Sequence, residues 1–74
     1  MLVDARGRPC PWPIVALARA VRESPDGARL HLLATDPAVE ADVAAWAEAT
    51  GHALLSVSEH RPGEWLAQVQ KQNV

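Results

Sequence analysis

The sequence predicts an α/β (α+β) fold, a two-layer sandwich of order β-α-β-α-β-β. Two observations predict it. First, an apolar strand segment precedes each of two amphipathic helical segments in the first fifty residues. Second, the chain then closes with two alternating segments joined by the turn Arg61-Pro62-Gly63-Glu64. Polar residues at every second position there imply one covered and one wet face. We therefore expect two helices on one face of a mixed four-stranded sheet.

The first half of the chain contains two predicted strands and one helix. Residues 2–4 form the first strand, and Gly7 suits a positive φ in the turn after it. The first helix is predicted from about Pro13 to Glu23, because apolar residues follow helical spacing. These residues are Ile14, Leu17, Ala18 and Val21. The apolar run in residues 29–35 predicts a strand in the middle of the sheet.

The second half begins with a helix start signal. Asp36 is predicted as its N-cap and Pro37 as its first helical residue, and Gly51 suits the position that closes the helix. A core-facing stripe at three- and four-residue spacing comprises Val39, Val43, Trp46 and Ala47. Glu40, Asp42 and Glu48 make the outer side of the helix acidic and are predicted to be solvated. Residues 53–59 and 65–71 are the predicted third and fourth strands.

Length, charge and cysteine count limit the functions that are open to the chain. Residues 1–74 make one small domain, and the single cysteine permits no internal disulfide, which fits a reducing compartment. No signal peptide or transmembrane run is visible, so we expect a cytoplasmic protein with no membrane partner. The formal charge of -2 argues against direct nucleic-acid binding, which usually needs a basic patch.

The stretch Arg8-Pro9-Cys10-Pro11-Trp12-Pro13 holds the only cysteine. Its prolines predict a stiff, extended approach that ends with Cys10 at or just before the N-cap of the first helix. The helix N-terminus favours a thiolate, with the N–H groups of Trp12 and Ile14 free to face it. Arg6 and Arg8 would add positive potential. The sequence therefore predicts an exposed, ionised Cys10, although a lone cysteine is more often a buried hydrophobe.

Other chemistries find little support in the sequence. Without Cys-X-X-Cys, dithiol oxidoreductase chemistry is excluded, and there is no glycine-rich phosphate loop. The histidines His31, His52 and His60 lack metal-ligand spacing, so no metal site is predicted. A Cys–His nucleophile pair would require one of them to lie beside Cys10, which spacing does not predict.

The motifs resemble those of the TusA/SirA-like sulfur-carrier family. Asp4-Ala5-Arg6-Gly7 precedes the Cys-Pro-X-Pro hallmark at Cys10–Pro13, and Thr35-Asp36-Pro37 and Gly51-His52 match later steps of the family pattern. The resemblance covers nearly the whole chain and implies the same fold. Arg8 and Trp12 differ from the residues that are common at these positions in the family, and these differences bear on which partner proteins the chain binds. Ala47 stands where some members have a second cysteine, which argues against an intramolecular disulfide switch.

The resemblance implies a carrier that accepts sulfane sulfur as a transient persulfide on Cys10, with no other cofactor. The donor would be a cysteine desulfurase or a rhodanese-like protein, and acceptors lead to tRNA thiolation, sulfur oxidation or cofactor assembly. Pro11, Pro13 and Gly7 would position the sulfur, while Trp12, Arg6 and Arg8 are the predicted partner contacts. Whether such a carrier counts as an enzyme stays open. The alternative is a regulatory or interaction module with a structural or redox-sensing cysteine.

Overall fold

A computed structural model describes residues 1–73 and has the predicted element order. Its elements are β1 (Leu2–Ala5), α1 (Trp12–Arg22), β2 (Arg29–Ala34), α2 (Val39–Thr50), β3 (Ala53–Arg61) and β4 (Glu64–Gln70). The four strands form one sheet in the order β1-β2-β4-β3. The mixed open sheet with two helices confirms the predicted fold class, and β2 occupies the predicted central position. Within residues 1–73, no helix combines the length and apolar character needed to cross a membrane.

Strand directions decide which loops become neighbours. β1 pairs with β2 in parallel, and β4 runs antiparallel to both β2 and β3. β1, β2 and β3 therefore point the same way, and their carboxyl ends lie at one edge of the sheet. The loop from β1 to α1 and the loop from β2 to α2 consequently lie side by side at that edge.

The core lies between the helices and one face of the sheet. Its largest fully buried side chains are Leu17, Leu30, Leu32, Val39, Val43 and Val69. Ala20 is buried in α1, whereas Ala18, one of the apolar residues at helical spacing, is only half-buried. In α2 the predicted stripe is confirmed: Val39, Val43 and Ala47 are buried, and the half-buried Trp46 packs against the core.

The start of α2 differs from the prediction. The helix begins at Val39 with Ala38 as its N-cap, so Asp36 and Pro37 belong to a turn before the helix. The Asp36 side chain accepts the Ala38 N–H at 2.9 Å, and its backbone C=O accepts the Val39 N–H at 3.0 Å. Asp36 thus satisfies the N–H groups of the N-cap residue Ala38 and of the first helical residue Val39. At the other end, Gly51 closes α2 as predicted, with a left-handed φ of 85°.

Candidate functional site

Cys10 lies on the loop between β1 and α1 and is exposed, as predicted. It directly precedes Pro11, the N-cap of α1, and the Cys10–Pro11 peptide bond is cis. The Trp12 N–H donates to the Pro9 C=O at 2.9 Å, which closes a turn around the cysteine. The predicted extended approach is therefore wrong, because Pro9 and Trp12 are joined across a turn. We call residues 6–11 the thiol loop.

Two hydrogen bonds fix the thiol loop to the turn after β2. Gly7 has the predicted positive φ, 76°, and its N–H donates to the Thr35 hydroxyl at 2.8 Å. The Cys10 N–H donates to Asp36 Oδ2 at 2.7 Å. An open groove runs between the loop and the turn, with Arg8 and Pro37 among its lining residues. The position of the sulfur is thus set by β2 and the start of α2 as well as by its own prolines.

Arg6 is not a free cation beside the thiol. Its guanidinium contacts Asp4 through two hydrogen bonds, of 3.0 and 2.8 Å, and lies 3.9 Å from the Glu64 carboxylate. Asp4 also accepts the Arg6 N–H at 3.1 Å and is therefore a turn acceptor. These hydrogen bonds lower the pKa of Asp4 from its ordinary 3.8 to about 2. The positive charge of Arg6 is therefore paired with the carboxylates of Asp4 and Glu64.

Trp12 is 55% exposed, and the Arg8 guanidinium lies over its ring at 5.9 Å from the centroid. This distance is within the range of a cation–π contact. The indole also borders an apolar groove between β1 and α1 that includes the exposed residues Met1, Leu2 and Val15. The large side chain next to the cysteine thus remains available to a partner, with a cation stacked on one face.

The ionisation of Cys10 is opposite to the prediction. Interaction with the Asp42 side chain, desolvation and the negative charges of Asp42 and Asp36 raise the pKa of Cys10. Helix N–H groups cannot offset them well. Pro11 and Pro13 have no N–H, and the N–H of Trp12 is already bonded to Pro9. These acidic neighbours therefore favour the thiol form of Cys10 over the thiolate.

The histidines have other partners in the described part of the chain. His52 stacks on Trp46 with ring centroids 5.5 Å apart, and its Nδ1 accepts the Gln72 N–H at 3.0 Å. His60 Nε2 lies 3.3 Å from Glu64 Oε1. Among residues 1–73 no three histidine, cysteine or acidic side chains are grouped for a metal ion. Structural roles thus account for His52 and His60.

Sequence reasoning missed three residues of the site: Thr35, Asp36 and Asp42. Asp36 was assigned only to the start of α2, and Asp42 to a solvated acidic face. A signal for the first two was present, because loops that follow neighbouring parallel strands meet at one sheet edge. Asp42 was not recognisable, since the sequence does not show which side of α2 faces the thiol loop.

The fold and the site together define a class: small open α/β sandwiches that present one unpaired thiol just before the first helix. The family model described as sulfurtransferase TusA matches residues 1–71, and the chain belongs to this family. The suspected resemblance is thereby confirmed.

Curated relatives carry the names of sulfur carriers. The chain is 36% identical over 69 residues to "Sulfur carrier protein TusA" of Pseudomonas entomophila, covering 93% of this chain and 85% of that protein. It is 35% identical over 69 residues to a "Putative sulfur carrier protein" of Aquifex aeolicus, covering 93% of this chain. It spans only 34% of the Aquifex protein, about a third of its length.

A solved structure supports the fold. The crystal structure of a SirA-like protein from Desulfitobacterium hafniense superposes with a TM-score of 0.84 and covers 97% of each chain at 20% identity. At this identity the likeness supports the architecture, and the functional argument depends on the thiol loop.

Proposed function

We propose that this protein is a sulfur carrier that accepts sulfane sulfur on Cys10 as a persulfide and passes it to an acceptor protein. The observation that carries the proposal is the exposed Cys10 thiol at the start of α1, in a chain that belongs to the TusA family. Exchange at sulfur requires access to the attacking and the attacked atoms. The short thiol loop, anchored by Thr35 and Asp36, holds the sulfur at the surface for two successive partners.

Loading can be written with every atom and charge balanced. The donor carries a persulfide anion, and the sulfur of Cys10 attacks its terminal sulfur. The S–S bond of the donor breaks while a new S–S bond forms on Cys10, and the hydrogen of the Cys10 thiol ends on the donor's cysteine. Sulfane sulfur moves without net oxidation or reduction, so neither an oxidant nor a further cofactor is needed.

The donor is a cysteine desulfurase or a rhodanese-like protein, and the acceptor is a protein of tRNA thiolation, sulfur oxidation or cofactor assembly. The carrier contacts these proteins and not the nucleic acid. It acts in the cytoplasm, where an unpaired cysteine stays reduced. Pro11 and Pro13 restrict the backbone at the N-terminal end of α1. Trp12, with Arg8 stacked on it, is the partner contact, since an exposed indole beside a reactive sulfur suits an interface anchor.

The test is loading by a cysteine desulfurase supplied with cysteine, followed by intact mass measurement. Wild type gains the mass of one sulfur atom, reductant removes it, and the Cys10→Ser variant gains none. A wild-type chain that takes up no sulfur from any desulfurase or rhodanese tried would contradict the carrier function and favour the interaction-module alternative. Trp12→Ala is expected to slow loading by the desulfurase while leaving loading by inorganic polysulfide unchanged, which separates docking from chemistry.

A further inference from the structure

β1 lies at one edge of the sheet, where β2 is its only paired strand. The Met1 C=O accepts the His31 N–H of β2 at 2.8 Å. Successive residues of a strand direct their backbone groups to opposite sides, so Val3 also faces β2, whereas the N–H and C=O groups of Leu2 and Asp4 face away from it. The turn and loop hydrogen bonds of the backbone within residues 1–73 do not use these four groups. β1 therefore has an edge that can pair with a further strand.

The opposite edge of the sheet is less suited to pairing. β3 has register shifts against β4 at two places, and residues 59–61 all carry ionisable side chains. Bulges and charges of this kind keep an exposed edge from binding other strands. β1 pairs with β2 in an unbroken register, and its one charged side chain, Asp4, is bound to Arg6. Of the two edges, β1 is thus the one that is open to strand addition.

An apolar groove of about 330 Å³ lies beside this open edge, between β1 and α1. Residues 1–3 line it on the β1 side. Its α1 wall follows helical spacing and comprises Trp12, Val15, Ala16 and Ala20. Trp12 and Val15 are 55% and 51% exposed, and the charged lining residues Arg19 and Glu23 are paired with each other at 3.5 Å. The groove thus offers an apolar surface without net charge.

One end of the groove is continuous with the thiol loop. Trp12 lies at the N-terminal end of the α1 wall and follows Cys10 by two residues. β1 runs in the direction of the same end, because the thiol loop begins directly after Ala5. A polypeptide segment that lies along β1 would consequently leave the groove at Trp12, next to the loop that carries the sulfur.

We propose that β1 and this groove bind an extended segment of the sulfur donor. The segment adds to the sheet as a strand beside β1, and its apolar side chains at alternate positions fill the groove. Leu2 and Asp4 supply the backbone hydrogen bonds, while Trp12 and Val15 contact the apolar side chains. This inference rests on the proposed function, because it assigns the docking site of the donor in that cycle.

Reach assigns the segment to the donor rather than to the acceptor. The thiol loop is short and is bonded to Thr35 and Asp36, so the sulfur of Cys10 cannot extend toward a recessed partner. After loading, the transferred sulfur lies about 2 Å farther out, along the new S–S bond. Loading therefore needs the closer approach, and a donor segment held against β1 provides it.

The first test compares loading by a cysteine desulfurase with loading by inorganic polysulfide. In Leu2→Pro the proline removes an N–H from the open edge and spares the hydrogen bonds between β1 and β2. The rate with the desulfurase, divided by the rate with polysulfide, should fall about two- to tenfold, as expected for one lost hydrogen bond. A ratio equal to that of wild type would overturn the proposal.

A second variant covers the case in which Leu2→Pro does not fold. Val15→Ser removes an apolar contact from the groove wall and should lower the same ratio. Leu55→Ser is the matched control, because Leu55 is also an exposed apolar residue, 44% accessible, but lies on β3. An equal fall in Leu55→Ser, or a fall confined to the later transfer to an acceptor, would contradict docking of the donor at this groove.

The third test follows amide hydrogen exchange of wild type by NMR, with and without the desulfurase. The amides of Leu2 and Asp4 should gain protection in the complex, and their failure to do so would overturn the proposal. Protection that instead rises with the concentration of the protein alone would assign the edge to a second copy of the chain. If these amides gain protection but no sulfur is loaded, the carrier function fails and the docking site stands; loading without protection is the reverse case.

Discussion

Replacing Asp36 by alanine is the most informative single change to the thiol loop. The carboxylate accepts two N–H groups, from Cys10 at 2.7 Å and from Ala38 at 2.9 Å. Hydrogen bonds to a charged acceptor contribute about 1.5–3 kcal/mol each when shielded, and less at a solvent-accessible site such as this one. Loss of a comparable helix cap costs about 0.5–2 kcal/mol. We therefore expect Asp36→Ala to lower the free energy of unfolding by about 1–2 kcal/mol.

Thermal unfolding measures this loss. In a domain of this size about 1 kcal/mol corresponds to 4–8 °C, so the Tm should fall by about 5–15 °C. Asp26→Ala is the control, because Asp26 lies in an exposed turn and its side chain makes no hydrogen bond among residues 1–73. Hydrogen exchange supplies the local readout, since the Cys10 amide should lose protection in Asp36→Ala. A Tm equal to that of the control, with the Cys10 amide still protected, would refute the anchoring of the loop.

Three further outcomes follow from the packing and charges. The pKa of Asp4 is lowered to about 2 in the folded protein, so wild type should have a higher free energy of unfolding than Asp4→Asn. This difference should be complete at a pH above 3.8, the ordinary pKa of the group, and should vanish as the pH falls toward 2. Urea unfolding across this pH range checks the prediction, and a difference that does not depend on pH would contradict it. Leu32→Ala, in the centre of β2 and fully buried, should cost about 2–5 kcal/mol in urea unfolding, and a loss well below 1 kcal/mol would be inconsistent with this core. Gly51→Ala forces a side chain into a left-handed φ of 85° and should cost about 1–2 kcal/mol by the same assay, whereas wild-type stability would count against the cap.

Local patterns were sufficient to predict the elements and most of the core. The stripe that includes Val39 and Val43 identified the buried face of α2, and Gly51 identified its end. These features depend on residues only a few positions apart, so periodicity detects them. Helical spacing alone does not separate the half-buried Ala18 from the buried Ala20, because small apolar residues occur on both sides of α1 and only packing against the sheet selects one.

The charge at the site depended on contacts that are distant in sequence. Cys10 and Asp36 are 26 positions apart, and they meet because β1 and β2 are parallel neighbours. The closeness of Arg6 to Cys10 in the sequence predicts that its positive charge favours a thiolate. In the structure the Arg6 guanidinium instead binds Asp4, which is nearer to it in the sequence. The position of the sulfur was thus predictable from its own loop, whereas its protonation state required the tertiary structure.

The central claim, that sulfur passes through Cys10, is tested most directly by a label chase. The protein is loaded by a cysteine desulfurase with cysteine carrying radiolabelled sulfur, separated from the donor and mixed with a candidate acceptor protein. The label should first reside on the peptide that contains Cys10 and then appear on the acceptor as it leaves the carrier. Label on any other peptide, or label on Cys10 that no acceptor can remove without added reductant, would contradict the account.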